Sequence, residues 1–172
     1  MSSRRTDASN IIRSVRAVIA MEAQTLRRLG EAVDGDYSRA VRAMAACRGK
    51  VIVTGTGKSG LIAQKIAATL ASTGTPALYL HPGDGLHGDV GLVQKQDLVL
   101  AIGKSGESDE INTILPVLRR LRVKILAITA SPHSTLARQA DIVLSTPVAR
   151  EACPLNLAPT ASTSAALFVS LP

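Results

Sequence analysis

Two short stretches of the chain carry the residue types that hold an anion. Val51-Ile52-Val53-Thr54 runs into Gly55-Thr56-Gly57-Lys58-Ser59-Gly60, and Leu98-Val99-Leu100-Ala101-Ile102 runs into Gly103-Lys104-Ser105-Gly106-Glu107-Ser108. Each is an apolar run that stops at a Gly/Ser/Lys turn and restarts as a helix. In a parallel α/β sheet that arrangement turns backbone N–H groups and a helix N-terminus toward an anion. Two such turns predict one phosphorylated ligand at the carboxyl edge of a sheet.

In the first turn Gly57 lets the backbone approach an anion closely, Lys58 supplies a cation between two glycines, and Ser59 supplies a hydroxyl. The plain alternative for Lys58 is a solvated loop lysine. Gly55-x-Gly57-x-x-Gly60 formally matches the dinucleotide fingerprint, but a nicotinamide enzyme needs an acid at the end of the second strand. Leu80-His81-Pro82 stands there, and Asp84 lies past it. The Walker A pattern fails because Ile52 occupies the place of its first glycine. In the second turn Ser105, Gly106 and Ser108 offer hydroxyls and N–H groups at a helix start. Ser105 reads equally as an N-cap, with Asp109 and Glu110 favoured in the first turn by the helix dipole.

Two further segments contain groups that move protons. His81-Pro82-Gly83-Asp84-Gly85-Leu86-His87-Gly88-Asp89 reads as a Gly/His/Asp-rich loop over 82–91, where a crossover helix is expected. Its few ligands match no standard metal spacing, so no metal is expected there. His133 follows Pro132 and reads as exposed. Glu151 opens Glu151-Ala152-Cys153-Pro154-Leu155-Asn156-Leu157-Ala158-Pro159-Thr160, which precedes the last helix. A carboxylate at that edge can serve as a general base, or sit as an ordinary loop glutamate.

The elements that must position these residues follow from periodicity. Ile11, Ile12, Val15, Val18, Ile19, Leu26 and Leu29 recur at helical spacing and predict a helix over 8–29. A second helix spans 37–47. Strands at 51–54, 77–81, 97–102, 124–129 and 141–145 then alternate with helices at 60–72, 108–121, 134–139 and from 160. That alternation predicts a three-layer α-β-α sandwich around a five-stranded parallel sheet of order 2-1-3-4-5, a flavodoxin-like arrangement with the ligand between strands 1 and 3. We read a single domain overall: an N-terminal helical segment over 1–48 packing on a phosphate-binding α/β domain over 49–172. The last helix is short, shows no capping residue, and makes the chain look truncated relative to a complete domain.

Composition agrees with this architecture. Of 172 residues, 46% are hydrophobic and 19% charged, which is globular and not disordered. Tyr37, Tyr79 and Phe168 are the whole aromatic complement, so the core is aliphatic, as a doubly covered parallel sheet allows. The net charge of +7 owes much to Arg4, Arg5, Arg13, Arg16, Arg27, Arg28, Arg39 and Arg42. No aromatics interleave with them, which speaks against nucleic-acid binding; a basic surface still steers anionic small molecules. Cys47 and Cys153 have no metal-type or CxxC spacing and read as reduced thiols of a cytoplasmic protein. No segment has the length of a membrane span.

At these residues the chain resembles the sugar isomerase (SIS) family, and within it the arabinose-5-phosphate isomerases. The matching segments are Gly55–Gly60, Ala71-Ser72-Thr73-Gly74-Thr75-Pro76, His81-Pro82-Gly83, His87-Gly88-Asp89, Ser105–Ser108, Pro116-Val117-Leu118-Arg119-Arg120-Leu121 and Glu151-Ala152-Cys153-Pro154-Leu155. The resemblance implies the SIS fold and interconversion of D-ribulose 5-phosphate and D-arabinose 5-phosphate through an enediol(ate). That reaction leads toward the octulosonate sugar of lipopolysaccharide. It implies a cytoplasmic homotetramer with no organic cofactor; composition and segment length, as above, give no nucleic-acid partner and no membrane. By position it implies Lys58, Glu110, Glu151 and His87 as catalytic groups, with Glu151 as base and Lys58 stabilising the oxyanion. It implies Gly57, Ser59, Ser105, Gly106, Ser108 and Thr160 as substrate or phosphate contacts.

The chain departs from the family pattern in three ways. The family continues into a longer final helix and a later His-Pro-Gly segment with a catalytic histidine, and it often adds a pair of CBS domains. Lys104 stands where the family usually has Asn. Asp84-Gly85 replaces the usual Glu-Ala. The alternatives are a phosphosugar-binding SIS domain without turnover, an isomerase of another sugar phosphate such as a hexulose phosphate, and, more distantly, a nucleotide-binding oxidoreductase.

Overall fold

The computed structural model describes residues 8–153 and 155–169. Two helices come first, α1 (Ala8–Glu31) and α2 (Gly35–Ala45). Asp34 starts α2, its carboxylate accepting from Asp36 N at 2.9 Å. The alternating part follows as β1 (Val51–Gly55), α3 (Gly57–Ser72), β2 (Ala77–Leu80), α4 (Pro82–Leu86), β3 (Leu98–Ile102), α5 (Asp109–Arg120), β4 (Lys124–Thr129), α6 (Thr135–Gln139), β5 (Ile142–Ser145) and α7 (Ala161–Val169).

The five strands form one parallel sheet of order β2-β1-β3-β4-β5. Successive side chains alternate between its faces. Val51, Val53, Leu98, Leu100, Ile102, Leu126 and Ile128 meet α3, α7 and residues of α1 and α2 on one face. Ile52, Val99, Ala101, Ile125 and Ala127 meet Ile111, Ile114, Leu115 and Leu118 of α5, and Leu136 of α6, on the other. Strands covered on both sides need apolar residues at every position, and β1 and β3 are buried throughout. The Tyr37 hydroxyl donates to the Ser145 carbonyl at 2.8 Å, which fixes α2 against the end of β5.

Several expectations change. Residues 82–91 are not an open loop. Pro82 presets the first helical φ and His81 Nδ1 accepts from Gly83 N at 3.2 Å, so α4 forms, and a 3-10 turn follows over Asp89–Leu92. The last helix does have a capping group, the Glu151 carboxylate, which reaches it from ten residues upstream of its first residue. Strand β3 starts one residue later than expected because Asp97 turns inward and closes the preceding loop. Its carboxylate accepts from Lys50 N at 2.9 Å, Gln94 N at 2.8 Å and Lys50 Nζ at 2.7 Å. Burial alone would raise the Asp97 pKa; these donors, Lys50 foremost, lower it instead.

Candidate active site at the carboxyl edge of the sheet

The first turn is built by close packing. A Cβ on Gly60 would lie 2.7 Å from the Gly55 carbonyl oxygen, and one on Gly55 would lie 3.0 Å from the Ser59 backbone. Only hydrogen at these positions lets α3 begin directly on the end of β1. Tyr79 donates its hydroxyl to the Gly55 carbonyl at 2.9 Å and fixes that strand end. Gly57 has φ +54°, which leads the chain into the helix and leaves Lys58 exposed on its first turn.

The second turn hangs from β4. Gly103 N donates to the Ile128 carbonyl at 3.0 Å, and the Lys104 carbonyl accepts from Ala130 N at 3.0 Å and Thr129 Oγ1 at 3.1 Å. Gly106 has φ +67°, and a Cβ there would lie 2.1 Å from Ser134 Oγ. Its N–H donates to the Gly103 carbonyl at 3.1 Å, so Gly106 shapes the turn and has no backbone donor left for an anion. Ser105 does not cap α5, contrary to one reading of the sequence: its Oγ accepts from Glu107 N at 3.2 Å. Ser108 is the N-cap residue and its side chain makes no capping bond. Thr56 Oγ1 instead donates to Ser108 Oγ at 3.5 Å, which joins the two turns.

Between the turns lies a cavity of about 290 Å³. Its walls are Thr56, Lys58 and Ser59 from the first turn, Lys104, Ser105 and Ser108 from the second, and Ser162 and Thr163 from α7. Ile102, Gly103 and Ile128 form its floor at the strand ends. A larger hollow of about 560 Å³ between α1, α2 and α7 is lined by Leu26, Leu29, Val33, Val41, Phe168 and other hydrocarbon, so polar chemistry belongs to the smaller one.

The ten residues expected at the site therefore divide. Lys58, Ser59, Ser105 and Ser108 line the cavity. Gly57, Gly106, Glu110, Glu151, His87 and Thr160 stand outside its walls. Glu110 is exposed on the first turn of α5, and His87 is exposed at the end of α4. Thr160 accepts from Ala152 N at 2.9 Å through Oγ1. Lys104, Thr56, Thr146, Ser162 and Thr163 are cavity residues that sequence reasoning did not select. Lys104 and Thr56 had a signal, as residues of the two turns; Thr146, Ser162 and Thr163 are hydroxyls without a motif.

Glu151 is only 3% exposed. One oxygen accepts from Lys104 Nζ at 2.6 Å. The other accepts from Thr160 N at 2.9 Å, Ser162 N at 3.1 Å and Thr160 Oγ1 at 3.4 Å. Burial pushes its pKa up, but the Lys104 ammonium and the Thr160 and Ser162 donors outweigh burial and hold it at about 2. It is an ionised carboxylate that ties the second turn to the N-terminus of α7, where the helix dipole favours negative charge.

The cavity thus lies at the strand switch, with two lysines and a ring of hydroxyls in its walls. The SIS domain pattern covers residues 44–171. The chain belongs to the SIS domain family. The chain is 51% identical over 152 residues to arabinose 5-phosphate isomerase KdsD of Escherichia coli K12, covering 88% of the chain and 46% of that protein. It is 48% identical over 153 residues to arabinose 5-phosphate isomerase GutQ of Salmonella typhi, covering 89% and 48%. The chain thus spans about half the length of the curated relatives it matches. Among solved structures, an Escherichia coli CFT073 protein in complex with arabinose 5-phosphate superposes with a TM-score of 0.92 at 36% identity, covering 95% of this chain and 87% of that one. Among the described residues no helix is long and apolar enough to cross a membrane.

Proposed function

We propose that this SIS domain interconverts D-ribulose 5-phosphate and D-arabinose 5-phosphate, in the supply of the octulosonate sugar of lipopolysaccharide. The observation that carries the reading is the 51% identity to KdsD over 88% of the chain. The cavity supports it chemically. A sugar phosphate needs hydroxyl and cationic donors for its phosphoryl oxygens, and Ser59, Ser105, Ser108 and Lys58 supply them from two turns of the same sheet edge. We take the SIS domain to span 49–172, with the helical segment 1–48 packed on it through its described part, 8–48; residues 1–7 lie outside the described residues.

Aldose–ketose exchange moves one proton between C2 and C1 while the carbonyl passes through an enediol(ate). The Lys58 ammonium stabilises the developing oxyanion. Glu151, with both oxygens engaged and a pKa of about 2, is a weak proton acceptor in this arrangement. We therefore read Glu151 as a positioning group and give the proton transfer to Glu110 and His87. Neither of those makes a side-chain hydrogen bond to another described residue, so both retain free polar atoms. A cytoplasmic homotetramer belongs to the same reading, and the half-exposed Ile11, Ile12, Val15 and Ile19 on α1 support assembly.

The test is turnover of ribulose 5-phosphate to arabinose 5-phosphate, run beside a thermal titration with each sugar. Turnover with stabilisation is expected. Stabilisation without turnover would leave a phosphosugar-binding domain, the second reading, which the placing of Glu110 and His87 outside the cavity walls favours. Silence in both assays would overturn the phosphosugar assignment.

A further inference from the structure

The Lys104 side chain is 47% exposed, and Glu151, the carboxylate beside it, is 4% exposed at its side chain. The ammonium carries three N–H donors. One goes to Glu151 Oε1 at 2.6 Å, and among the described residues no second partner of Nζ occurs. The other end of the residue is fixed as firmly, because its carbonyl accepts from Ala130 N and Thr129 Oγ1. A lysine side chain ordinarily loses much rotamer freedom when a ligand orders it. Here the buried carboxylate has already ordered the ammonium at the wall of the cavity that contains Lys58, Ser59, Ser105 and Ser108. Lys58 forms no ion pair with a described carboxylate. The cavity therefore has two cations of different kinds, one loose and one anchored.

We propose that Lys104 is a specificity-determining contact of this cavity: held at one corner by Glu151, its ammonium gives its remaining N–H donors to the anionic oxygens of the bound sugar phosphate. This rests on the phosphosugar reading above. Glu151 then acts on the ligand through Lys104, as the group that aims it. Charge-assisted hydrogen bonds are stronger than neutral ones, so the contact selects phosphorylated over unphosphorylated sugar.

Calorimetric titration of arabinose 5-phosphate, with arabinose as the uncharged control, tests this in five proteins: the parent, K104R, K104M, E151Q and K104M/E151Q. E151Q is the reference for the double variant, which folds without an unpaired buried carboxylate. K104M is expected to bind arabinose 5-phosphate at least about tenfold more weakly, the loss of one charge-assisted contact, with binding of arabinose unchanged and K104R close to the parent. K104M/E151Q is expected to bind about tenfold more weakly than E151Q. Equal affinities of E151Q and K104M/E151Q would make Lys104 only the structural partner of Glu151 and overturn the proposal. A parent protein that does not bind arabinose 5-phosphate at all would overturn the phosphosugar reading itself, whereas parent binding that K104M leaves unaltered would overturn the Lys104 assignment alone.

Discussion

Glu151 and Lys58 are both charged residues of one sheet edge, yet burial separates what they do. Glu151 is buried under four donors, so its replacement is first a question of stability. Its pKa falls from 4.5 to about 2 on folding. A depressed carboxylate stabilises the fold above its unfolded pKa and loses that contribution as pH falls through the folded value. The contribution is thus complete above about pH 4.5, worth about 3 kcal/mol by linkage, and gone near pH 2. E151Q is expected to unfold at lower urea concentration than the parent at pH 7, with the gap narrowing steadily in titrations from pH 4.5 downward. A gap that stays constant would mean that the carboxylate charge is not what holds α7. Lys58 is exposed and has no ion-pair partner among the described residues, so K58M should change unfolding free energy by less than about 0.5 kcal/mol. Its turnover of ribulose 5-phosphate should drop by about a hundredfold or more, the usual loss for a missing oxyanion donor; an unaltered rate would remove Lys58 from the reaction.

At the scale of elements, the two turns are set by glycines of different kinds. Gly106 sits at φ +67° with Ser134 where a Cβ would go, at 2.1 Å from Oγ and 2.5 Å from Cβ. A methyl group there must push α6 away from the second turn. G106A is expected to cost about 2–4 kcal/mol in chemical unfolding and to weaken stabilisation by arabinose 5-phosphate. Gly57 also has a positive φ, +54°, but nothing lies within 4 Å of its Cβ position. G57A carries only the backbone penalty, about 1 kcal/mol. If both substitutions cost the same, contact with Ser134 is not what makes Gly106 necessary. The same economy of space explains α4: Pro82 and the His81 imidazole start a helix in a segment whose glycines and polar residues read as loop.

For the molecule as a whole, the open question at the surface is α1. Ile11, Ile12, Val15 and Ile19 are between 50% and 62% exposed, on a helix whose only fully buried residues are Thr25 and Leu29. An apolar stripe of this kind marks an interaction surface. Sedimentation of the parent at micromolar concentration is expected to give four times the chain mass, and I12E/I19E is expected to give a smaller species with its unfolding transition retained. A monomeric parent would remove the homotetramer from the reading.

What the sequence by itself determined was the strand–helix alternation, the 2-1-3-4-5 sheet and the two anion-type turns. These rest on local signals: apolar runs of four to six residues, Gly/Ser punctuation, and a right-handed crossover rule that leaves few topologies. That Lys58, Ser59, Ser105 and Ser108 come together at one cavity was legible for the same reason, since each lies within a few residues of a strand end. The partnership of Lys104 with Glu151 was not legible. The two residues are 47 positions apart, and no periodicity connects β3 to the segment before α7. Whether Glu151 is a free base or a buried helix cap depends on which N–H groups the packing of α7 brings to it. Only the tertiary structure decides that, because burial and hydrogen bonding act in opposite directions on the same carboxylate and their balance is a matter of distance.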